Sequence, residues 1–482
     1  MPNIYETDDY KKMAEQIKRD IQQDQQSELK EKMREGVAYY GYQHDILKLR
    51  LFYYDNEGVM HEEKNRSNIR IAHPFFAEQV DQKVQYLLSN PIEYKTDDEN
   101  LKEELKYYTD ENFQLILESL VEGASIKRHE FLYYYVNQDG RLSFAIAEAE
   151  KVIEIYDDKG LLSNYVRYYK DKIEKDGKVV TITKAEVWRK NDTVFFVQDG
   201  ANKEFKLDET IIVNPQPHWL VRDEQGRLYG KGFDRLPFLK LENNGNKKTD
   251  LEPIKDLVDD YDIMACALSN NLVDFDHPIY AVRGYPGDDL DKLVTNLRTR
   301  KTIGVDGEKG GIDVKTVDIP VAARDTKLRI DKENIYKFGM AFDSTQVGDG
   351  NITNVVIKSR YSLLDLKCNK IESRLRKLLR EVLRLIVDDI NSRTGKAYDA
   401  NSIDIIITRD TTFNEKEVAE IEKIKEDTKQ VKIAYLLTVA HKLNDESVLK
   451  MLCETLDLDF DEVQQALLTQ DYEIGDLDDD DI

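Results

Sequence analysis

Gly304, Gly307, Gly310 and Gly311 cluster beside Lys309, and backbone amides with one ammonium are the ingredients of a phosphate cradle. The spacing does not spell G-x-x-x-x-G-K-[ST], and the flanking strands make this a Gly-rich hairpin turn instead. Next to it stands Asp313-x-Lys315. In a metal-dependent phosphodiesterase a carboxylate holds Mg²⁺ and a lysine stabilises developing charge. No upstream acidic partner accompanies this pair, so it reads as a solvated edge strand, with nuclease chemistry kept as the alternative. Asp343, Asp349 and Asn351 lack the spacing and terminal Glu of a calcium loop. His44, His61, His73, His129, His218, His277 and His441 form no H-x-x-x-H or H-E-x-x-H pair, and no G-x-S-x-G elbow occurs. Cys266, Cys368 and Cys453 are far apart without a C-x-x-C, which indicates buried structural thiols in a reducing compartment. The reading is therefore not an enzyme, with no cofactor and no metal.

Bulk charge narrows the field further. The 482 residues include 94 Asp and Glu against 70 Lys and Arg, a net of −24. Such a chain repels bare nucleic acid unless positive charge is locally concentrated. Residues 411–482 hold 20 acidic against 7 basic residues, whereas 321–391 hold 14 basic against 10 acidic. Charge is thus partitioned by region. No apolar run approaches the ~20 residues of a bilayer span, and MPNIYETDDYKK lacks a signal-peptide pattern, so a cytosolic protein without membrane contact is expected.

The elements that would carry such groups follow from periodicity. The length favours two to four structural units. Residues 7–34 read as a helix with a thin stripe of Met13, Ile17, Ile21, Leu29 and Met33, leaning on a neighbour. Phe76, Val80, Val84, Leu87 and Leu88 mark a core helix that Asn90-Pro91 ends, and 99–127 gives a second amphipathic helix. From 131 to 213 apolar and polar residues alternate between Gly, Asn and Asp turns, which predicts antiparallel sheet. After a strand ending at Leu241, a helix runs from about Asp250, its expected N-cap, to Phe275, with Leu257, Met264, Leu268 and Leu272 on one face. A small α/β insertion follows, with strands at 279–282, 301–305 and 312–317 and a helix at 290–298. Then come a helix over 323–339, a loop over 341–354 and a long helix over 355–391 whose face is Ile371, Leu375, Leu378, Val382 and Ile386. Residues 403–408 predict an isolated strand. Short helices over 414–469 lead to the tail Asp476, Asp478, Asp479, Asp480, Asp481, a solvated run.

Four segments carry a more specific pattern. IAHPFFAEQVDQKVQYLLSNPI (71–92) has a histidine-aromatic start, a V-D-Q-K centre and an L-x-x-N-P-I exit. EGASIKRHEFLYYYV (122–136) turns into sheet, GFDRLPFLKLENN (232–244) is an R-x-P-F strand ending in Asn-Asn, and NITNVVIKSRYSLLDLKCNKIESRLRK (351–377) opens a long basic helix. In this order they resemble the portal proteins of long-tailed phages of Gram-positive hosts. One departure is Asn354-Val355-Val356-Ile357-Lys358, which lacks the family's usual Gly.

The resemblance implies an α+β portal fold: a mixed wing (1–245), stem helix 1 (246–276), a small α/β clip (277–322), stem helix 2 (323–340), a tunnel loop (341–354), a long helix with a wing strand (355–410), and a helical crown with an acidic tail (411–482). It implies a homo-oligomeric ring of twelve subunits in the virion, assembled in the host bacterial cytoplasm, through which double-stranded DNA is packaged and ejected. The implied partners are the terminase large subunit, the head-to-tail adaptor, and the major capsid and scaffolding proteins. A wall that neutralised phosphates would grip DNA by counterion release and resist sliding. Glu252, Asp256, Asp259 and Asp260 are accordingly expected as an acidic tunnel lining. Thr345, Gln346, Val347, Gly348 and Asn351 are expected to touch DNA from the loop, and Arg298, Arg300 and Lys301 to bind partners at the clip. A scaffold that binds proteins only is the third reading.

Overall fold

The computed structural model describes residues 3–64, 66–175, 177–200, 203–222, 225, 227–233, 235–275, 279–283, 311–315, 318–343 and 354–409; beyond these it describes 429–436, 438, 440–442, 444–456, 460 and 463–464. Two compact units divide the chain, Met1–Asp410 and Thr411–Ile482. Within the described residues of the second unit, 429–436 are helical, and a further helix spans Asp445–Leu456 and buries Cys453. Its start is fixed by Asn444, whose side chain accepts from the Ser447 amide at 3.0 Å.

In the first unit the N-terminal segment forms two helices, α1 (Tyr10–Gln25) and α2 (Glu28–Tyr40). Asp9 and Ser27 cap them by accepting from the third amide onward, which satisfies one of the otherwise orphaned donors of each first turn. The stripe finds its neighbour within the same chain. Met13, Ile17 and Ile21 are buried against Val166, Ala185, Val187 and Phe196 of the large sheet. Each such side chain removed from water contributes about 1.5–3 kcal/mol.

The main core forms around α3 (Phe75–Leu88), where all five expected apolar residues are buried. The expected single helix over 99–127 is two, α4 (Glu99–Tyr108) and α5 (Glu111–Lys127). Asp110 causes the break: its carboxylate accepts from the Phe113 amide at 2.9 Å and restarts the helix. A glycine lets α2 approach the end of α5, since a Cβ on Gly36 would stand 2.1 Å from the Ile126 carbonyl oxygen.

The expected antiparallel sheets are present. Phe238–Glu242, His129–Val136 and Leu142–Ala147 form one sheet in that order. Lys206–Leu207, Asp192–Gln198, Lys178–Trp188, Leu162–Lys175 and Val152–Tyr156 form the path of a second, with Gln216–Pro217 pairing Asp192–Gln198. Asp404–Ile406 is not isolated, because it pairs antiparallel with Glu93–Lys95.

Three helices complete the unit: α6 (Lys255–Asp274), α7 (Val321–Phe338) and α8 (Asn354–Thr394). The 41 residues of α8 span about 60 Å at the α-helical rise, and Ile371, Leu375, Leu378, Val382 and Ile386 are buried as expected. Between α6 and α7, Ile279–Arg283 pairs antiparallel with Gly311–Lys315. The expected helix at 290–298 and strand at 301–305 lie outside the described residues.

Candidate functional site

The helix pair α6 and α7, with the turn that leads into it, holds the four predicted acidic residues Glu252, Asp256, Asp259 and Asp260. The α6 start differs from expectation. Thr249 and Glu252 form a reciprocal capping-box pair on the turn that leads into the helix, whose own N-cap, Ile254, makes no side-chain bond: the Glu252 amide donates to Thr249 Oγ1 at 3.2 Å, and the Thr249 amide donates to Glu252 Oε1 at 2.9 Å. Asp250 is therefore not the cap. It is buried, 2.9 Å from Lys83 Nζ and 3.3 Å from Lys367 Nζ, and it accepts from Asn243 Nδ2 at 2.9 Å. Burial opposes its ionisation, but the ammonium groups of Lys367 and Lys83 and the Asn243 bond hold the carboxyl well below the usual range.

The buried stripe of α6 also differs. Val258, Asp262 and Cys266 face inward, whereas Leu272 is exposed and Leu257, Met264 and Leu268 are only half-buried. Asp262, fully buried, stands 2.7 Å from His44 Nδ1 and 2.7 Å from His73 Nδ1, and accepts from the His73 amide at 3.0 Å. Burial pushes its pKa up, and the two imidazoles with the His73 amide more than reverse that, leaving it depressed. His44 stacks on Tyr39 with centroids 4.4 Å apart.

This carboxylate begins a ladder that sequence reading missed. The Ile71 amide donates to Cys266 Sγ at 3.2 Å, the Ile69 amide to Asn270 Oδ1 at 2.6 Å, and the Ser67 amide to Asp274 Oδ1 at 2.9 Å. Side chains at every fourth position of α6 thus take every second amide of an extended strap running the opposite way. Four helical residues rise about 6.0 Å and two extended residues about 6.6 Å. The two repeats match closely enough to hold four rungs.

Three of the four expected lining carboxylates are compensated. Glu252 closes the capping box and faces Lys248 at 3.7 Å. Asp259 accepts from the Tyr39 hydroxyl and pairs with Lys255 at 2.6 Å. Asp260 pairs at 2.5 Å with Lys327 of α7, which also reaches Asp331 at 2.5 Å, tying the two helices together. Asp256 alone of the four is exposed without an ion pair among the described residues.

The remaining candidates fall apart from this cluster. Asp313 is exposed and pairs across the hairpin with Arg283 at 2.6 Å, a cross-strand ion pair of the solvated kind. Lys315 lies opposite Ile279 in the same hairpin. Among the described residues no group of three His, Cys, Asp or Glu is placed to hold a metal ion. No described helix is long and apolar enough to cross a membrane. Thr345, Gln346, Val347, Gly348 and Asn351, and Arg298, Arg300 and Lys301, lie outside the described residues.

Comparison with known proteins adds a family. The family model described as "Phage portal protein, SPP1 Gp6-like" matches residues 6–468. The portal protein of Bacillus phage SPP1 is 29% identical over 396 residues, covering 81% of this chain and 76% of the relative. That of Clostridium phage phiCD119 is 23% identical over 414 residues, covering 81% and 85%. Among solved structures, the neck of a native GTA particle computed with C12 symmetry covers 79% of this chain and 89% of its own, at 12% identity and a TM-score of 0.39. That last likeness is too loose to carry an argument.

Proposed function

Because the chain belongs to the SPP1 Gp6-like family of phage portal proteins, we propose that its copies close a ring of twelve at one capsid vertex, through which double-stranded DNA enters and leaves. The family is a structural one and its members are virion components, which leaves the phosphodiesterase and the protein-only scaffold without support. In this reading 246–276 and 323–340 are the stem, 277–322 the clip, 341–354 the tunnel loop and 411–482 the crown.

The observation that carries the reading is the pairing of α6 with α7. Lys327 joins them through Asp260 and Asp331, they bracket a hairpin-containing excursion, and α7 leads into the segment before α8. A paired stem, a clip and a tunnel loop require that order.

With Glu252, Asp259 and Asp260 each facing a lysine, the stem wall is less acidic than its formal charge, and of the four expected carboxylates Asp256 stands free among the described residues. A mildly acidic wall still avoids the phosphate grip of a basic one, so DNA slides over hydrated surface. Contacts then fall to the tunnel loop, through Thr345, Gln346, Val347, Gly348 and Asn351. Arg298, Arg300 and Lys301 serve at the clip, docking the terminase large subunit and then the head-to-tail adaptor. The major capsid and scaffolding proteins bind elsewhere on the ring.

Electron microscopy of the purified chain tests the ring: particles with a central hole are expected, and a stable monomer at micromolar concentration would contradict it. Deleting 345–350 should leave rings intact and impair packaging or retention of DNA. Unchanged packaging would remove the loop from the DNA path.

A further inference from the structure

Where α7 ends and α8 passes the start of α6, the first unit buries more positive than negative charge. The side chains of Lys83 and Lys367 are 1% and 8% exposed, and both ammonium groups face the single carboxylate of Asp250. The second acceptor of Lys83 is Asn243 Oδ1 at 2.6 Å, and that of Lys367 is the Gly339 carbonyl oxygen at 2.9 Å. An ammonium has three donors. Each lysine therefore keeps one N–H beyond what the described residues accept. Two ammonium groups sharing one anion leave a formal charge of +1 out of water, and burial with the neighbouring Lys83 lowers the Lys367 pKa, so a further anionic partner is what would hold both lysines charged.

A cavity of about 70 Å³ adjoins the pair, with Lys370, Asn244 and Met340 at its walls. A single water needs about 10–15 Å³ on this measure, so one tetrahedral ion fits. Lys370 is exposed. Arg374 reaches the adjoining loop, its Nη2 standing 3.2 Å from where a Cβ on Gly245 would be. In a chain of net charge −24, this is a concentrated positive site with unfilled donors.

We propose that this cavity binds one tetrahedral oxyanion of the phosphate type, held by Lys83 and Lys367 inside and Lys370 outside. Its place gives it a consequence. The bound anion fixes the Gly339–Met340 backbone, from which the chain enters the 341–354 segment, to the start of α6 and the body of α8. The proposal rests on the portal reading only in offering two sources of the anion, free phosphate and the DNA backbone.

The test uses the full chain in its assembled form, with inorganic phosphate titrated against sodium chloride at fixed pH and ionic strength. The thermal midpoint should rise with phosphate dose, and ³¹P line width should report bound phosphate. Lys370→Ala should move the dose response to about tenfold higher phosphate, the loss of one charge-assisted contact. Lys367→Met should abolish it. A wild-type midpoint and line width indifferent to phosphate, or an equal rise in wild type and Lys367→Met, would overturn the proposal in favour of an uncharged Lys367. Should Lys367→Met fail to fold, the Lys370→Ala line width decides. Duplex DNA that displaces the bound phosphate assigns the site to the DNA backbone; retention assigns it to the free ion. Imaging rings in the same samples separates a failure of the portal reading from a failure of this one.

Discussion

Replacing Asp262 with Ala should unlock the strap along α6, and the size of the effect follows from its bonds. The carboxylate takes three donors, the Nδ1 groups of His44 and His73 and the His73 amide. His44 cannot turn elsewhere, because its Nε2 is already buried without a partner. Leaving buried donors without their acceptor costs about 1–3 kcal/mol, and every 1.4 kcal/mol is tenfold, so the strap should open roughly five- to a hundred-fold more often. Residue-resolved amide exchange reads this directly. In the wild type the amides of Ser67, Ile69, Ile71 and His73 should exchange more slowly than those of Asn68, Arg70 and Ala72, which make no bond among the described residues. The variant should lose protection first at His73 and last at Ser67. Acid gives a second readout. A carboxyl whose folded pKa is depressed contributes stability above its unfolded value, about 3.9, and loses it as pH falls through the folded value. The strap should therefore stay closed at pH 5 and loosen only in stronger acid, a step that Asp262→Asn removes. Uniform exchange across 67–73 in the wild type would refute the ladder, as would a change under threefold in Asp262→Ala.

Three further expectations concern the first unit. Gly36→Ala drives a methyl into the Ile126 carbonyl at 2.1 Å; backbone cannot swing aside as a side chain can, so a loss of about 1–3 kcal/mol is expected in denaturant titration. His129 is buried and its pKa is pushed down to about 2 by desolvation and then by Lys240 and Lys30, while burial takes His218 down to about 4. Both stay neutral when folded, so stability should fall as pH drops below about 6.5, each contributing up to about 1.4 kcal/mol per pH unit. His129→Gln should flatten the thermal-midpoint profile between pH 6.5 and 4.5, and an unchanged slope would show that His129 protonates in place. Asp110→Ala removes the cap that accepts from the Phe113 amide; a loss of about 1 kcal/mol is expected, read as fraying of the first turn of α5.

Periodic, locally determined features were legible from residues alone. The apolar spacing of α3 and α8 identified buried faces correctly, and Gly, Asn and Asp turns marked the sheet hairpins. Features set by a distant partner were not. The 403–408 strand looked isolated because its mate, Glu93–Lys95, is some three hundred residues away. Asp250 looked like a cap since Asp at a helix start usually is one, and nothing local announced Lys83 and Lys367. The Thr249-x-x-Glu252 spacing was the available signal for the reciprocal bonds on the turn before α6. On α6 the apolar residues Leu257, Met264, Leu268 and Leu272 suggested the inward face. The inward face instead carries Asp262, Cys266 and Asn270, because the strap presents bare amides that only polar side chains can satisfy. Fours on a helix and twos on a strap become a pattern only once the segments are known to touch.

The same ladder bears on the conduit. The acidic wall is expected from Glu252, Asp256, Asp259 and Asp260, in a stretch where Asp262 and Asp274 add further carboxylates against Lys255. Asp262 and Asp274 turn inward to the strap, Asp259 is held by Lys255 and Tyr39, and Asp260 by Lys327. The charge is therefore mostly structural, used to hold the strap and α7 in place. Around a ring, charges already compensated by protein cations set up little long-range field, and salt screens what remains within about 10 Å. Smooth passage of DNA would then depend less on repulsion by the stem than its formal charge implies. The Lys83–Lys367 surplus, by contrast, is buried beside the start of the loop segment.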